Sequence, residues 1–114
     1  MNIKAKKKGK YTIIDIRGKI NRLQDSLNLK ALFQELLAKD EKKIILNLEN
    51  VTYLDSGALN VIIYIYNSLL KKNGKLVIIS PTEFVKDTLE VVGINRIIKI
   101  YNTEEDFEND KENF

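Results

Sequence analysis

The sequence predicts a single α/β domain: a four- to five-stranded, mostly parallel central sheet flanked by about four helices. Three observations predict it. Segments with strand patterning alternate with segments of helical patterning along nearly the whole chain, which is the signature of a parallel sheet covered by helices. Two strand segments, KIILNL (43–48) and KLVIIS (75–80), are short and rich in branched apolar residues, as strands buried on both faces are. The 114 residues are 44% hydrophobic and 31% charged, enough for one core, and no linker, repeat or low-complexity tract divides them.

Each element has its own local reason. Residues 1–9 form a basic strand or arm. KYTIIDIRGKI alternates and then meets a glycine, predicting a strand from about Lys10 to Ile16. Ser26 suits a helix N-cap, and the following LNLKALFQELLAKD places Leu27, Ala31, Phe33, Leu36 and Leu37 on one broad face. After KIILNL, ENVTYLDSG reads as a turn. A helix then runs from about Ser56 to Lys72, stopped by Asn73-Gly74. Pro81 ends the KLVIIS strand. TEFVKDTLEVVG predicts a helix from Thr82 to Val92, RIIKIY a last strand, and residues 103–114 an acidic capped helix or tail.

Composition removes several kinds of chemistry. The chain has no Cys, which excludes disulfides, thiolate catalysis and sulfur-ligated zinc. It has no His, which excludes Ser-His-Asp hydrolysis, histidine phosphotransfer and the common zinc sites. It lacks G-x-x-x-x-G-K-[ST] and G-x-G-x-x-G, so no phosphate-cradling loop is expected. No catalytic residue, metal or cofactor is assigned. No apolar run approaches the ~18 residues of a membrane span, and no secretory signal follows the lysines, so a cytoplasmic location is expected.

The net charge of +3 hides an asymmetry. The first ten residues carry five lysines, while Thr103–Phe114 carries six acidic residues and one lysine. Such ends are read first as solvated faces. The lysines have no interleaved aromatics and no nucleic-acid motif beside them, so direct nucleic-acid binding is not expected.

The helix after Asp55 is the unusual one. Leu59, Ile62, Ile63, Tyr66, Leu69 and Leu70 form a face suited to the sheet, and Asn60, Tyr64, Asn67 and Lys71 a polar stripe. Val61 and Ile65 lie at the border. Either the helix is simply broad in its core contacts, or Ala58, Val61 and Ile65 belong to a partner-binding surface. Its start, Asp55-Ser56-Gly57, has two readings as well. Ser56 is a favoured N-cap type. It also falls at the C-terminal end of a strand in a parallel sheet, where such folds place ligand sites. A phosphate there would meet the positive end of the helix dipole and would add about −1.5 to −2 charge beside Asp55.

The stretch KIILNLENVTYLDSGALNVII resembles the signature segment of the STAS domain, and more narrowly of bacterial anti-sigma factor antagonists. YTIIDIRGKIN is similar to the family's first strand, and GKLVIISPTEFVKDTLEVVGINRIIKIYNTEEDF to its later strands, proline, short helix and "GI" turn. The likeness covers about residues 10–108. It implies no enzyme. It implies that Ser56 is the phosphate acceptor of a GHKL-type anti-sigma factor serine kinase. The unphosphorylated protein would bind that kinase and release its sigma factor, and a PP2C-type phosphatase would reset it. The implied contact set is Asn21, Asp55, Ser56, Gly57, Ala58, Val61 and Ile65. Asn21 stands where the family usually has Asp, and Gly57-Ala58 departs from its usual order. The alternatives are a non-switching STAS subunit of a scaffold or lipid-transport complex, and a small-ligand or enzymatic α/β domain.

Overall fold

A computed structural model describes residues 1–114. The elements are β1 (Asn2–Lys8), β2 (Tyr11–Ile20), α1 (Leu23–Ala38), β3 (Lys43–Leu54), α2 (Ser56–Lys71), β4 (Lys75–Ile79), α3 (Glu83–Val91), β5 (Lys99–Tyr101) and α4 (Glu104–Asp110). The five strands lie in the order β1-β2-β3-β4-β5. The β1–β2 pair is an antiparallel hairpin; the other three pairings are parallel.

Alternation along the strands sorts the core into two faces. Ile14 and Ile16 of β2, Ile44, Leu46 and Leu48 of β3, and Ile78 of β4 face α1, α2 and α3 in the larger cluster. Phe33 and Leu29 of α1, Ile62 and Ile65 of α2, and Val85 and Leu89 of α3 complete it. On the opposite face Ile13, Ile45, Val77, Ile79 and Tyr101 are covered by Phe107 of α4 and the C-terminal Phe114. Phe107 makes edge-to-face contacts with Tyr11, Tyr101 and Phe114, at centroid separations of 5.4–5.5 Å. The acidic C-terminal segment is therefore a docked helix.

Several expectations are corrected. Strand β3 continues to Leu54 through the segment read as a turn, because β2 continues beside it to Ile20. Two register irregularities, between Asp15 and Arg17 and between Gly18 and Lys19, absorb extra β3 residues and spoil the simple alternation of ENVTYL. Helix α1 starts at Leu23, before Ser26, and buries Asp25, Ser26, Leu29, Phe33 and Leu36; Leu27 and Ala31 face outward. Residues Ile94–Arg96 form a 3-10 turn, which delays β5 to Lys99.

Candidate functional site

Three strand and helix ends meet at one pole. Ile20 of β2 pairs with Leu54 of β3, so Asn21 and Asp55, the next residue of each chain segment, emerge side by side. The backbone N–H of Asp55 donates to the Ile20 carbonyl at 3.0 Å and ties the strand-to-helix turn to β2.

Asp55, not Ser56, is the N-cap of α2. Its backbone is extended, and its Oδ1 accepts the Ala58 N–H at 2.8 Å. Ser56 is thereby the first helical residue, and its hydroxyl is not committed to capping. Its side chain is exposed at this turn. The Ser56 and Gly57 N–H groups belong to the first helical turn, which has no intrahelical acceptors. An oxyanion attached to Ser56 would lie beside these donors and the positive end of a 16-residue helix.

Gly57 sits where space is limiting. A Cβ there would lie 3.1 Å from the Ser26 Oγ and 3.3 Å from the Asp55 Oδ1. Ser26 is buried, and its Oγ has no hydrogen-bond partner. It is the one buried side-chain polar atom without a partner. Next to it, Asp25 accepts from the backbone N–H of Asn21 at 3.4 Å and of Arg22 at 3.3 Å. Burial works against ionisation of the Asp25 carboxyl. The Arg22 guanidinium and the Asn21 N–H outweigh it and hold the group below the ordinary aspartate value.

The sequence-derived contact set divides in two. Asn21 and Ser56 are exposed, and Asp55 and Gly57 partly so. Ala58, Val61 and Ile65 are core residues, at 0%, 8% and 0% exposure. The idea that their helix border faces a partner is corrected: α2 is rotated so that this stripe meets the sheet. Ile63 and Leu70, expected inside, are outside instead.

The structure adds residues that sequence reasoning missed. Lys19, Thr52, Tyr53 and Phe84 line, together with the anticipated Asn21, an open hollow of about 430 Å³ at this pole. Tyr53 and Phe84 stack with centroids 6.0 Å apart and planes at 27°, and both remain exposed. Thr82 positions Phe84: its side chain caps α3 and donates to the Val51 carbonyl at 3.1 Å, pinning α3 to the end of β3. Reading ENVTYL as a strand would have placed Tyr53 beside Lys19; nothing in the sequence announces Phe84.

No three His, Cys, Asp or Glu side chains converge on a common point that would hold a metal ion. No helix is long and apolar enough to cross a membrane. The fold and this pole together define an α/β domain that presents a serine at a strand-to-helix turn beside an aromatic, lysine-edged surface. The chain matches the STAS domain family over residues 2–107, and it belongs to that family.

Several curated relatives carry the description of anti-sigma factor antagonist. A Thermotoga maritima protein named "Putative anti-sigma factor antagonist" is 39% identical over 74 residues, spanning 65% of this chain and 66% of that protein. A crystal structure of a T. maritima protein of the same description superposes with a TM-score of 0.87 at 29% identity, covering 95% of this chain and 92% of that one. The anti-sigma factor antagonist SpoIIAA in its unphosphorylated form superposes with a TM-score of 0.76 over 98% of both chains. At 13% identity that likeness concerns the fold alone.

Proposed function

We propose that this protein is an anti-sigma factor antagonist switched by phosphorylation of Ser56. The observation that carries the reading is the division of labour at the start of α2. Asp55 caps the helix, and the neighbouring hydroxyl is left exposed with no structural task. The names of its relatives support the same reading, as does the occurrence of SpoIIAA in a phosphorylated form.

In this reading a GHKL-type anti-sigma factor kinase docks on the pole formed by Asn21, Asp55, Ser56, Gly57, Lys19 and the Tyr53–Phe84 stack. Exposed aromatics are the side chains that most often anchor a protein interface. Transfer of the terminal phosphoryl group of ATP forms an O–P bond at the Ser56 Oγ; ADP leaves, and the serine proton is lost. The product carries about −1.5 to −2 additional charge. A partner that covered the neutral hydroxyl must then desolvate a dianion, so docking is lost with little change of fold. A PP2C-type phosphatase restores it. Ala58, Val61 and Ile65 act by packing the helix that presents the serine.

The test is a pull-down with a purified anti-sigma factor kinase, with intact-mass measurement after ATP is added. The wild-type protein gains one phosphoryl group on Ser56 and loses binding. Ser56→Ala stays bound, and Ser56→Asp binds weakly. Equal binding by both variants contradicts the switch.

A further inference from the structure

The largest cavity lies far along α2 from Ser56, at the opposite end of that helix. Of about 470 Å³, it is walled by Leu69 and Leu70 at the end of α2, Leu76 of β4, Ile97 and the C-terminal Phe114. The cavity exists because β5 is short. It pairs only with Val77–Ile79, so Lys75 and Leu76 have no β5 partner opposite them. The late start of β5 leaves a recess between α2 on one side and the C-terminal segment on the other. Its volume falls in the range of small-molecule pockets, roughly 300–1,000 Å³.

The polar groups around the recess are unequal in what they leave free. Asp110 is engaged on both oxygens: Oδ2 accepts the Tyr101 hydroxyl and Oδ1 the Asn113 amide, each at 2.6 Å. Lys75 and Lys99 are not matched in this way. Lys75 Nζ donates to the Asn113 carbonyl at 3.2 Å, and Lys99 Nζ lies 5.5 Å from the Tyr101 ring centroid. Neither ammonium forms an ion pair with a carboxylate. The rim thus carries two exposed cations and one carboxylate, Asp110, whose charge Lys99 offsets in part from a distance. At the mouth Leu70 and Ile97 are 59% and 47% exposed, and a hydrocarbon seated there would remove that surface from water.

We propose that this cavity binds an amphipathic monocarboxylate, such as a medium-chain fatty acid, with its hydrocarbon against Leu70 and Ile97 and its carboxylate between Lys75 and Lys99. A neutral apolar molecule would leave both ammonium groups unused. A nucleotide would find none of the converging backbone donors of a glycine-rich loop. The site is independent of the serine switch, since none of its residues belongs to the Ser56 pole.

The experiment is an amide NMR titration of the full chain with decanoate below its critical micelle concentration, with decanol as comparator. The expected result is saturable shifts concentrated at Leu70, Lys75, Ile97 and Lys99. Decanol is expected to bind about tenfold more weakly, and so is decanoate to the Lys75→Ala/Lys99→Ala double variant. Leu70→Asp/Ile97→Asp is expected to abolish the shifts; its side chains are exposed, and a dispersed spectrum verifies its fold. The proposal is overturned by shifts that do not saturate or that scatter over the surface, by equal binding of decanol, or by undiminished binding in either double variant. It is also overturned if the protein proves to be a dimer in solution whose interface covers Leu70 and Ile97.

Discussion

At the residue scale, the account turns on which of two adjacent polar side chains caps α2. Asp55 makes the cap bond, so Asp55→Ala should cost about 1 kcal/mol in denaturant unfolding, whereas Asp55→Asn should cost little. Ser56→Ala should change stability by no more than about 0.5 kcal/mol, because an exposed first-turn hydroxyl holds nothing in place. A loss of stability in Ser56→Ala as large as that in Asp55→Ala would show the hydroxyl to be structural. The contact between Gly57 and Ser26 makes a second prediction. An alanine at a helical glycine usually gains up to about 1 kcal/mol, but here its Cβ would press on the Ser26 Oγ at 3.1 Å. Gly57→Ala should therefore be more favourable in a Ser26→Ala background than in the wild type, a coupling measurable by a double-mutant cycle. Local sequence supplied the candidates here but not their roles. Asp and Ser are both good caps, and only the extended backbone at Asp55 decides between them. The buried Ser26 hydroxyl had no sequence signal beyond its suitability as a cap, a task the structure does not give it.

At the element scale, helix faces were harder to read than helix existence. The sequence located α2 within one residue of its end but set its buried stripe too far round the helix: Ile62 and Leu69 are core, Leu59 and Tyr66 only border it, and Ile63 and Leu70 are exposed. Leu59, Ile62, Ile63, Tyr66, Leu69 and Leu70 outnumber the true core set, yet the sheet accepts Ala58, Val61, Ile62, Ile65 and Leu69. When a helix is apolar on most of its circumference, periodicity alone cannot fix its rotation. Strand β3 misled for the opposite reason: its polar second half is held by pairing with β2, which local propensity does not see. The C-terminal helix owes its place to Phe107, only 1% exposed over the second core face. Phe107→Ala should cost about 3–5 kcal/mol and increase binding of a hydrophobic dye, because Ile13, Ile45 and Val77 would lose their cover. Native-like stability in that variant would mean that α4 is dispensable. The start of α1 gives a pH prediction. The Asp25 carboxyl is held below its ordinary value when folded, against the opposing effect of burial, by Arg22 and the Asn21 N–H. Its stabilisation is complete above the unfolded-state value of about 3.9 and is lost as pH falls through the lower folded-state value. Thermal stability should fall between about pH 5 and pH 2 more steeply in the wild type than in Asp25→Asn. Parallel curves would exclude a role for this carboxylate.

At the scale of the whole molecule, fold class and family were legible because β-α alternation, branched strands and the segment around Asp55-Ser56-Gly57 all agreed. The hollow proposed as the docking surface was not legible, since Lys19, Tyr53 and Phe84 come from three elements and meet only once the sheet is ordered. The charge asymmetry of the two chain ends also acquires a place. Glu108 of the acidic helix lies 3.8 Å from Lys8 of the lysine-rich strand and accepts the Tyr11 hydroxyl at 3.2 Å, so part of each end answers the other across the sheet. The molecule then has a serine at one end of α2, an amphiphile-sized recess near the other, and a packed sheet beneath both. The most direct test of the central claim is site-resolved phosphate mapping of protein incubated with a purified anti-sigma factor kinase and ATP, read together with binding to that kinase. The account predicts one phosphoryl group, on Ser56, and loss of the complex as it accumulates. Phosphate at another residue, or a complex that persists with Ser56 fully modified, would contradict it.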